Sequence, residues 1–174
     1  MPATPLKYYK LSYQGQAFVP IWGDFVYGLN VELGYASGYG GRSLPFFQNY
    51  YGGGVGSVRG YETNSLGPRE AVTSKVTTNP DGTTSSTTSY TGDAMGGRRK
   101  FTVNNEILFP FPGTKNDKSV RGSLFFDAGQ IYDRGDPLQK DNERVHFSAG
   151  LAISWQSPIG ALKFSYALPL ATKA

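Results

Sequence analysis

Apolar and polar side chains alternate with a period of two along most of this 174-residue chain. In DFVYGLNVELGYASGYG, large apolar residues occupy the odd positions from Phe25 to Tyr35, and glycine or polar residues such as Asn30 and Glu32 fill the even ones. A period of two is typical of β-strands, because successive side chains point to opposite faces of a sheet. Helical periodicity is almost absent, so the pattern predicts an all-β chain.

Six segments show this alternation and define six predicted strands. They lie at about 6–20, 25–38, 100–109, 119–132, 145–156 and 161–170. Most of them reach the roughly 9–11 residues that a tilted strand needs to cross a bilayer, whereas the mean strand of soluble proteins has about 5–6 residues. Strand length therefore favours an antiparallel membrane β-barrel segment over a soluble sandwich, in which the same aromatic side chains would fill a core.

The connections between the predicted strands alternate in length. The turns PIWGD, PFPGTKNDK and SPIG are short, whereas a long loop covers about 39–98. Outer-membrane barrels have short periplasmic turns and longer extracellular loops. Within the long loop, Ala71–Gly97 is rich in Ser, Thr and Gly. We expect it to form a mobile loop tip or a small hairpin that turns at Asn79–Gly82.

Composition narrows the functional classes. No run of about 18 apolar residues is present, so no transmembrane helix is expected. The chain has no Cys and one His, which excludes disulfides and argues against a metal site or other cofactor. The net charge is +4, and its one basic cluster, Arg98–Lys100, is interpreted as a solvated strand end. Nucleic-acid binding is not expected.

A glycine-rich stretch, YYGGGVGSVRGYE, places four glycines just before a single arginine, Arg59. The glycines are Gly52, Gly53, Gly54 and Gly56. The stretch lacks the third glycine of a dinucleotide fingerprint and the Gly-Lys-Ser/Thr of a phosphate-binding loop. Glycines let a backbone lie close to a barrel wall and adopt positive φ. We therefore expect them to act as hinges that fold the long loop into the barrel lumen.

An arginine inside a confined lumen needs partners, because an unpaired buried charge is costly. Its planar guanidinium prefers bidentate contacts with carboxylates. Glu106 and Asp127 lie on the polar faces of the third and fourth predicted strands, and neighbouring antiparallel strands place such faces side by side. These two acids could clamp Arg59. The alternative is that Arg59 is a solvated loop residue and that both acids face water.

The sequence around Arg59 resembles the VRG[FY] loop signature of the Omp85 superfamily. The matching residues are Val58, Arg59, Gly60 and Tyr61. The segments YKLSYQGQAFVPI, NNEILFPFP, GSLFFDAGQIYD and HFSAGLAISWQSPIGALKFSYALPL agree in order. Residues 1–174 thus resemble the C-terminal portion of a barrel from the outer-membrane assembly factors of this superfamily. The resemblance implies that the loop enters the lumen and that its arginine pairs with Glu106 and Asp127.

The resemblance implies a function without covalent chemistry, in which barrel proteins are folded and inserted into the bacterial outer membrane. The partners it implies are outer-membrane lipid, unfolded outer-membrane proteins and, through the parent protein, lipoproteins of an assembly complex. The alternative is a secretion or translocation pore of the same superfamily. An enzyme is not expected, because His146 near Ser148 lacks an orienting acid and the chain has no G-x-S-x-G elbow.

The family barrel has 16 strands preceded by periplasmic POTRA domains, so the resemblance implies an incomplete barrel here. An open sheet in a membrane has two unpaired edges, and each unsatisfied backbone group costs several kcal/mol. We therefore expect the segment to associate with itself through its strand edges or to belong to a larger assembly. We expect the segment alone to be inactive.

Overall fold

The structure is a computed structural model. It describes residues 6–78, 84–89, 92–113, 119–133 and 144–170. Within these residues the chain forms eight strands and one turn of 3₁₀ helix at Phe46–Gln48. The strands are β1 (Tyr8–Trp22), β2 (Phe25–Gly38), β3 (Val72–Thr78), β4 (Thr84–Ser89), β5 (Arg99–Pro110), β6 (Val120–Tyr132), β7 (His146–Ser157) and β8 (Gly160–Leu170).

Six of these strands form one antiparallel sheet in the order β1-β2-β5-β6-β7-β8. The predicted all-β architecture of six antiparallel strands is confirmed, and the sheet is open. The observed β1 extends two residues beyond the predicted end at position 20. Short turns join β1 to β2 and β7 to β8, while the long connection from β2 to β5 leaves from the opposite end of the sheet.

The remaining two strands, β3 and β4, pair with each other inside the long loop and form a separate two-stranded sheet. Of the two alternatives for Ala71–Gly97, the small hairpin is therefore the one observed. The predicted turn at Asn79–Gly82 lies outside the described residues.

The two faces of the six-stranded sheet differ in chemistry. We call the face that carries Asn30, Glu106 and Asp127 the inner face, and the opposite one the outer face. The outer face exposes large apolar side chains, such as Leu11 and Leu151. A contiguous apolar surface of this kind is unfavourable in water, and it matches the lipid-facing band of an outer-membrane barrel. Among the described residues, no helix is long and apolar enough to span a membrane.

A small apolar core lies on the inner face, between the sheet and the long loop at 39–98, which we call the lumen loop. Val58 and Leu66 from this loop pack against Ile131 of β6, and all three are almost fully buried. The space for Val58 exists because β6 has a glycine at position 129: a Cβ there would lie 2.5 Å from Val58 Cγ2. The loop therefore packs directly against the wall of the sheet.

The base of the lumen loop is pinned to the ends of β1 and β2. Tyr50 and Gly97 form a backbone bridge across the two ends of the loop. The Tyr50 hydroxyl donates a hydrogen bond to the Leu11 carbonyl at 2.7 Å and lies 2.8 Å from Ser12 Oγ. Its ring covers Gly34, where a Cβ would lie 2.7 Å from it. These contacts set where the loop enters the inner face.

We predict that Gly129→Ala loosens the lumen loop, because the added methyl group overlaps Val58. Overpacking of this kind costs about 1–3 kcal/mol. In the full-length protein folded in detergent, limited proteolysis should cleave the loop about tenfold faster, since each 1.4 kcal/mol of local opening is a factor of ten when reclosing is fast.

The matched control is Gly56→Ala, which adds the same methyl group within the loop itself. A Cβ at Gly56 has no neighbour within 4 Å, so cleavage should stay at the wild-type rate. Equal cleavage rates for both variants would contradict the packing described.

Candidate functional site

Arg59 of the lumen loop forms a two-pronged contact with Asp127 of β6. Its Nε donates to Asp127 Oδ2 at 2.7 Å and its Nη2 donates to Oδ1 at 2.8 Å. The backbone N–H of Arg59 also donates to Oδ2, at 3.1 Å. Three donors from one residue thus converge on one carboxylate. This geometry fixes the orientation of the guanidinium as well as its position.

The contact is buried on every side. The Arg59 and Asp127 side chains are 6% and 0% exposed. The guanidinium also stacks on Phe125, whose ring centroid lies 3.4 Å from Arg59 Cζ. A cation over an aromatic face is attracted by the ring quadrupole, and this attraction grows when water is excluded. Phe125 therefore forms the floor of the site, and Asp127 forms one wall.

Glu106 of β5 lies on the other side of the arginine but holds it less closely. Arg59 Nη1 is 3.8 Å from Glu106 Oε1, too far for a hydrogen bond. Glu106 Oε1 instead accepts a 2.5 Å hydrogen bond from Ser123 Oγ, and Lys163 of β8 lies 3.0 Å from the same oxygen. The structure brings together all three residues, Arg59, Glu106 and Asp127, which we call the clamp. The two acids are unequal within it.

Local backbone geometry turns the loop so that Arg59 points at β6. Gly53 and Gly54 have φ of 104° and 86°, a region that residues with a Cβ rarely adopt. The turn closes with hydrogen bonds from Ser57 N to Gly54 O and from Gly54 N to Val58 O. Asn104 Nδ2 of β5 donates to Ser57 O at 2.6 Å, which ties the turn to the wall.

The two other predicted hinges differ in what the structure asks of them. Gly52 lies against Ile131, where a Cβ would be 2.9 Å from Cγ1. Gly56 has neither positive φ nor a close neighbour. The structure thus gives a reason for glycine at 52, 53 and 54 but none at 56.

The four residues of the VRGY motif contact three different strands. Val58 packs against Gly129 of β6, next to Asp127. Gly60, with φ of 89°, passes so close to β8 that a Cβ would lie 3.1 Å from that of Ala167. Tyr61 donates a hydrogen bond to the Phe147 carbonyl of β7 at 3.0 Å. The motif therefore fastens the loop across β6, β7 and β8 together.

Tyr61 also packs edge-on against His146, with ring centroids 5.1 Å apart. Burial raises the pKa of the Tyr61 phenol, which favours the neutral hydroxyl that donates to the Phe147 carbonyl. His146 is thereby part of the wall against which the loop packs.

Four contributors to the site were not predicted: Asn104, Ser123, Phe125 and Lys163. The alternation puts Lys163 and Ser123 on the polar faces of their strands, but it does not predict their contacts with Glu106. The signal for Phe125 was available, because LFF at 124–126 breaks the alternation and puts an aromatic ring on the inner face. An apolar residue at a polar position of a barrel strand indicates a contact with something inside.

A small polar cavity adjoins the clamp. A cavity of about 250 Å³ beside the clamp is lined mainly by amides and charged groups, including Gln14, Asn30, Glu106 and Lys163. Among the described residues, no group of three His, Cys, Asp or Glu side chains could hold a metal ion. Arg59 and Asp127 form the ion pair of the clamp. Phe125 packs against the guanidinium, and Ser123 donates a hydrogen bond to Glu106.

Comparison with known proteins gives consistent results. Residues 1–174 match the family model of the Omp85 superfamily domain. The chain is 38% identical, over 99% of its length, to the outer membrane protein assembly factor BamA of Neisseria meningitidis serogroup B. It is 34% identical, over 75% of its length, to BamA of Nitratidesulfovibrio vulgaris. The chain spans 23% and 14% of the lengths of these two relatives.

The fold has a solved counterpart as well. The crystal structure of BamA from Haemophilus ducreyi lacking POTRA domains 1–3 superposes on the whole chain with a TM-score of 0.80 and 31% sequence identity. The chain covers 34% of that structure. The open six-stranded sheet thus matches part of a larger barrel.

We predict that Asp127→Asn in the full-length protein lowers the free energy of unfolding by about 3–5 kcal/mol. The variant leaves the Arg59 charge buried and without its close partner, and breaking a buried ion pair from one side costs about this much. Urea unfolding of the detergent-folded barrel, followed by its gel mobility, measures the change.

Glu32→Gln is the matched control. It removes one carboxylate charge from the same inner face, where Glu32 pairs with Lys100 at 2.8 Å and is 30% exposed. It should cost less than Asp127→Asn, because this pair is less enclosed: Lys100 is 11% and Glu32 30% exposed, against 6% and 0% for Arg59 and Asp127. Equal losses for the two variants would argue against a special role of Asp127.

Proposed function

The chain belongs to the Omp85 superfamily, and we propose that it is part of an assembly factor that folds and inserts β-barrel proteins into the bacterial outer membrane. The similarity to BamA over 99% of the chain is the observation that carries this proposal. The apolar outer face of the sheet supports it, since that face suits the hydrocarbon region of a bilayer. We place the sheet in the outer membrane, in contact with its lipid.

We propose that the sheet acts by strand pairing rather than by covalent chemistry. Backbone N–H and C=O groups at an unpaired strand edge of the full-length barrel can add a client strand by main-chain hydrogen bonds. The partners would be unfolded outer-membrane proteins and, through the full-length protein, lipoproteins of an assembly complex. Folding of the client strands into the membrane supplies the free energy, so no cofactor is needed.

The clamp has a structural part in this proposal. Val58, Arg59, Gly60 and Tyr61 fasten the lumen loop to three strands, and Glu106 and Asp127 neutralise the Arg59 charge. The loop thereby stiffens the inner wall of β5 to β8. A stiff wall keeps the sheet in register while the barrel as a whole accommodates a client protein.

Two other functions receive less support. A secretion pore of the same superfamily could use a similar loop, but the curated relatives of 34–38% identity carry the name of an assembly factor. BamA assembly factors are generally not enzymes. We propose the same for this chain, since His146 contacts Tyr61 of the motif and has a packing role that needs no catalysis.

We predict that Arg59→Ala in the full-length protein lowers the outer-membrane levels of many unrelated barrel proteins together. The truncation leaves Asp127 buried without its partner, which detaches the loop and weakens the wall. Quantitative mass spectrometry of outer membranes, in cells that depend on the variant, measures these levels. Glu32→Gln is the control and should leave them unchanged.

Loss of a single exported protein, with barrel proteins at normal levels, would instead identify a secretion pore. A conservative His146→Gln variant tests the enzymatic alternative, because it retains polarity and approximate size but removes the titratable ring. Assembly that stops in this variant while the barrel stays folded would contradict a function without catalysis.

A further inference from the structure

A second arginine, Arg99, lies on the outer face of the sheet between two tyrosines. The register places Tyr35 of β2 and Tyr132 of β6 directly opposite Arg99 on either side. The guanidinium carbon is 5.3 Å from the Tyr35 ring centroid and 5.5 Å from that of Tyr132. Both distances are within the range of cation–π attraction. The two rings therefore bracket the guanidinium.

Arg99 differs from Arg98 and Lys100, its neighbours in the basic cluster, because each of those two pairs with a carboxylate. Arg98 pairs with Asp133, with Nε donating at 2.6 Å. Lys100, on the inner face, pairs with Glu32. Among the residues that the structure describes, Arg99 has no carboxylate within ion-pair distance. Its positive charge is thus held in place by rings but not neutralised.

The position of Arg99 along the strand places it at the border of the apolar band. On the same face, the next pair toward the short turns is Phe101 and Leu33, followed by Val103 and Val31. Toward the long loops the strand ends at Arg99 itself. Tyrosines of outer-membrane barrels gather at the level of the lipid headgroups. Arg99 therefore lies at headgroup depth, at the end of the sheet that carries the long loops.

A cavity of about 200 Å³ adjoins the guanidinium. Its lining includes Tyr35, Ser37, Arg98, Arg99 and Asp133. This space is large enough for a phosphate group, whose oxygens match the fork of a guanidinium. The carboxylate of Asp133 is already engaged by Arg98, which reduces its repulsion of an anion.

We propose that Arg99, bracketed by Tyr35 and Tyr132, binds the phosphate of a lipid headgroup in the leaflet at the long-loop end of the sheet. The lipid is favoured over a soluble anion because the site continues directly into the apolar band. An acyl chain can lie along Leu33 and Phe101 while the phosphate contacts Arg99. This site rests on the proposed membrane placement of the sheet and is independent of its role in assembly.

Native mass spectrometry of the full-length protein, purified from its own outer membrane in mild detergent, tests the site. In Arg99→Gln, the retained phosphorylated lipid should fall about fivefold, as expected when one cation at a lipid surface is removed. Lys100→Gln is the matched control: it removes the same charge one residue away, on the opposite face. It should retain lipid like the wild type, and equal retention in both variants would overturn the proposal.

A second measurement needs no variant to fold. Wild-type protein in nanodiscs is offered a phosphorylated lipid and the same lipid after phosphatase treatment. Preferential retention of the phosphorylated form supports the proposal, and equal retention refutes it. Delipidated protein is also titrated with inorganic phosphate: binding as tight as that of the lipid would show a general phosphate site and overturn the lipid assignment. Assembly activity in Arg99→Gln should stay normal, so failure here is distinguishable from failure of the proposed function.

Discussion

The ion pair between Arg59 and Asp127 is the constraint around which the inner face is organised. A guanidinium that is 6% exposed cannot remain without a carboxylate. Such a pair need not add stability compared with apolar residues of the same size, because both charges lose their hydration. Its effect is on specificity: the loop must be placed so that the guanidinium makes two hydrogen bonds to Asp127 and the Arg59 backbone N–H makes a third. The pair therefore selects one loop conformation among many that a glycine-rich segment could adopt.

That selection depends on the absence of side chains at a few positions and on a neighbouring charge. Gly129 allows the loop to approach β6 at a distance that a Cβ would forbid, and Gly60, with φ of 89°, approaches β8 so closely that a Cβ would crowd Ala167. Lys163 and Ser123 occupy the oxygens of Glu106, so Glu106 has compensation of its own and Arg59 can commit to Asp127. Lys163 also links β8 to β5, strands that are separated by two others. Glu106 thus contacts both Arg59 of the loop and Lys163 of β8, so the position of the loop depends on how the sheet curves from β5 to β8.

The strands and the face on which each side chain lies can be predicted from the sequence, because both follow from the local alternation of apolar and polar residues. The alternation along each strand is enough to place Glu106 and Asp127 on one face. The rule that a buried charge is paired then predicts that they lie beside Arg59. The contact of Lys163 could not be obtained this way. Strands three apart in a flat sheet lie roughly 14 Å from each other, so the contact requires the sheet to curve. The alternation of side chains predicts the face of each residue but not this curvature. Alternation does not decide whether the loop contains the β3–β4 hairpin, since a Ser/Thr-rich segment has no apolar alternation to mark its strands. Gly56 shows that a glycine run can also predict too much. Gly52, Gly53 and Gly54 each have a close neighbour or a positive φ that favours glycine, but Gly56 has neither.

The two arginines on opposite faces show how one sheet treats the same charge in two solvents. On the inner face, Arg59 is enclosed, and the protein itself supplies the carboxylate and the aromatic ring that the cation needs. On the outer face, Arg99 receives two aromatic rings but no carboxylate among the described residues. A cation next to hydrocarbon is costly unless an anion reaches it, and at headgroup depth the membrane can provide that anion. Each arginine therefore takes its anion from its own surroundings. The protein supplies Asp127 to the enclosed Arg59, and the lipid headgroups supply a phosphate to Arg99 at the membrane surface.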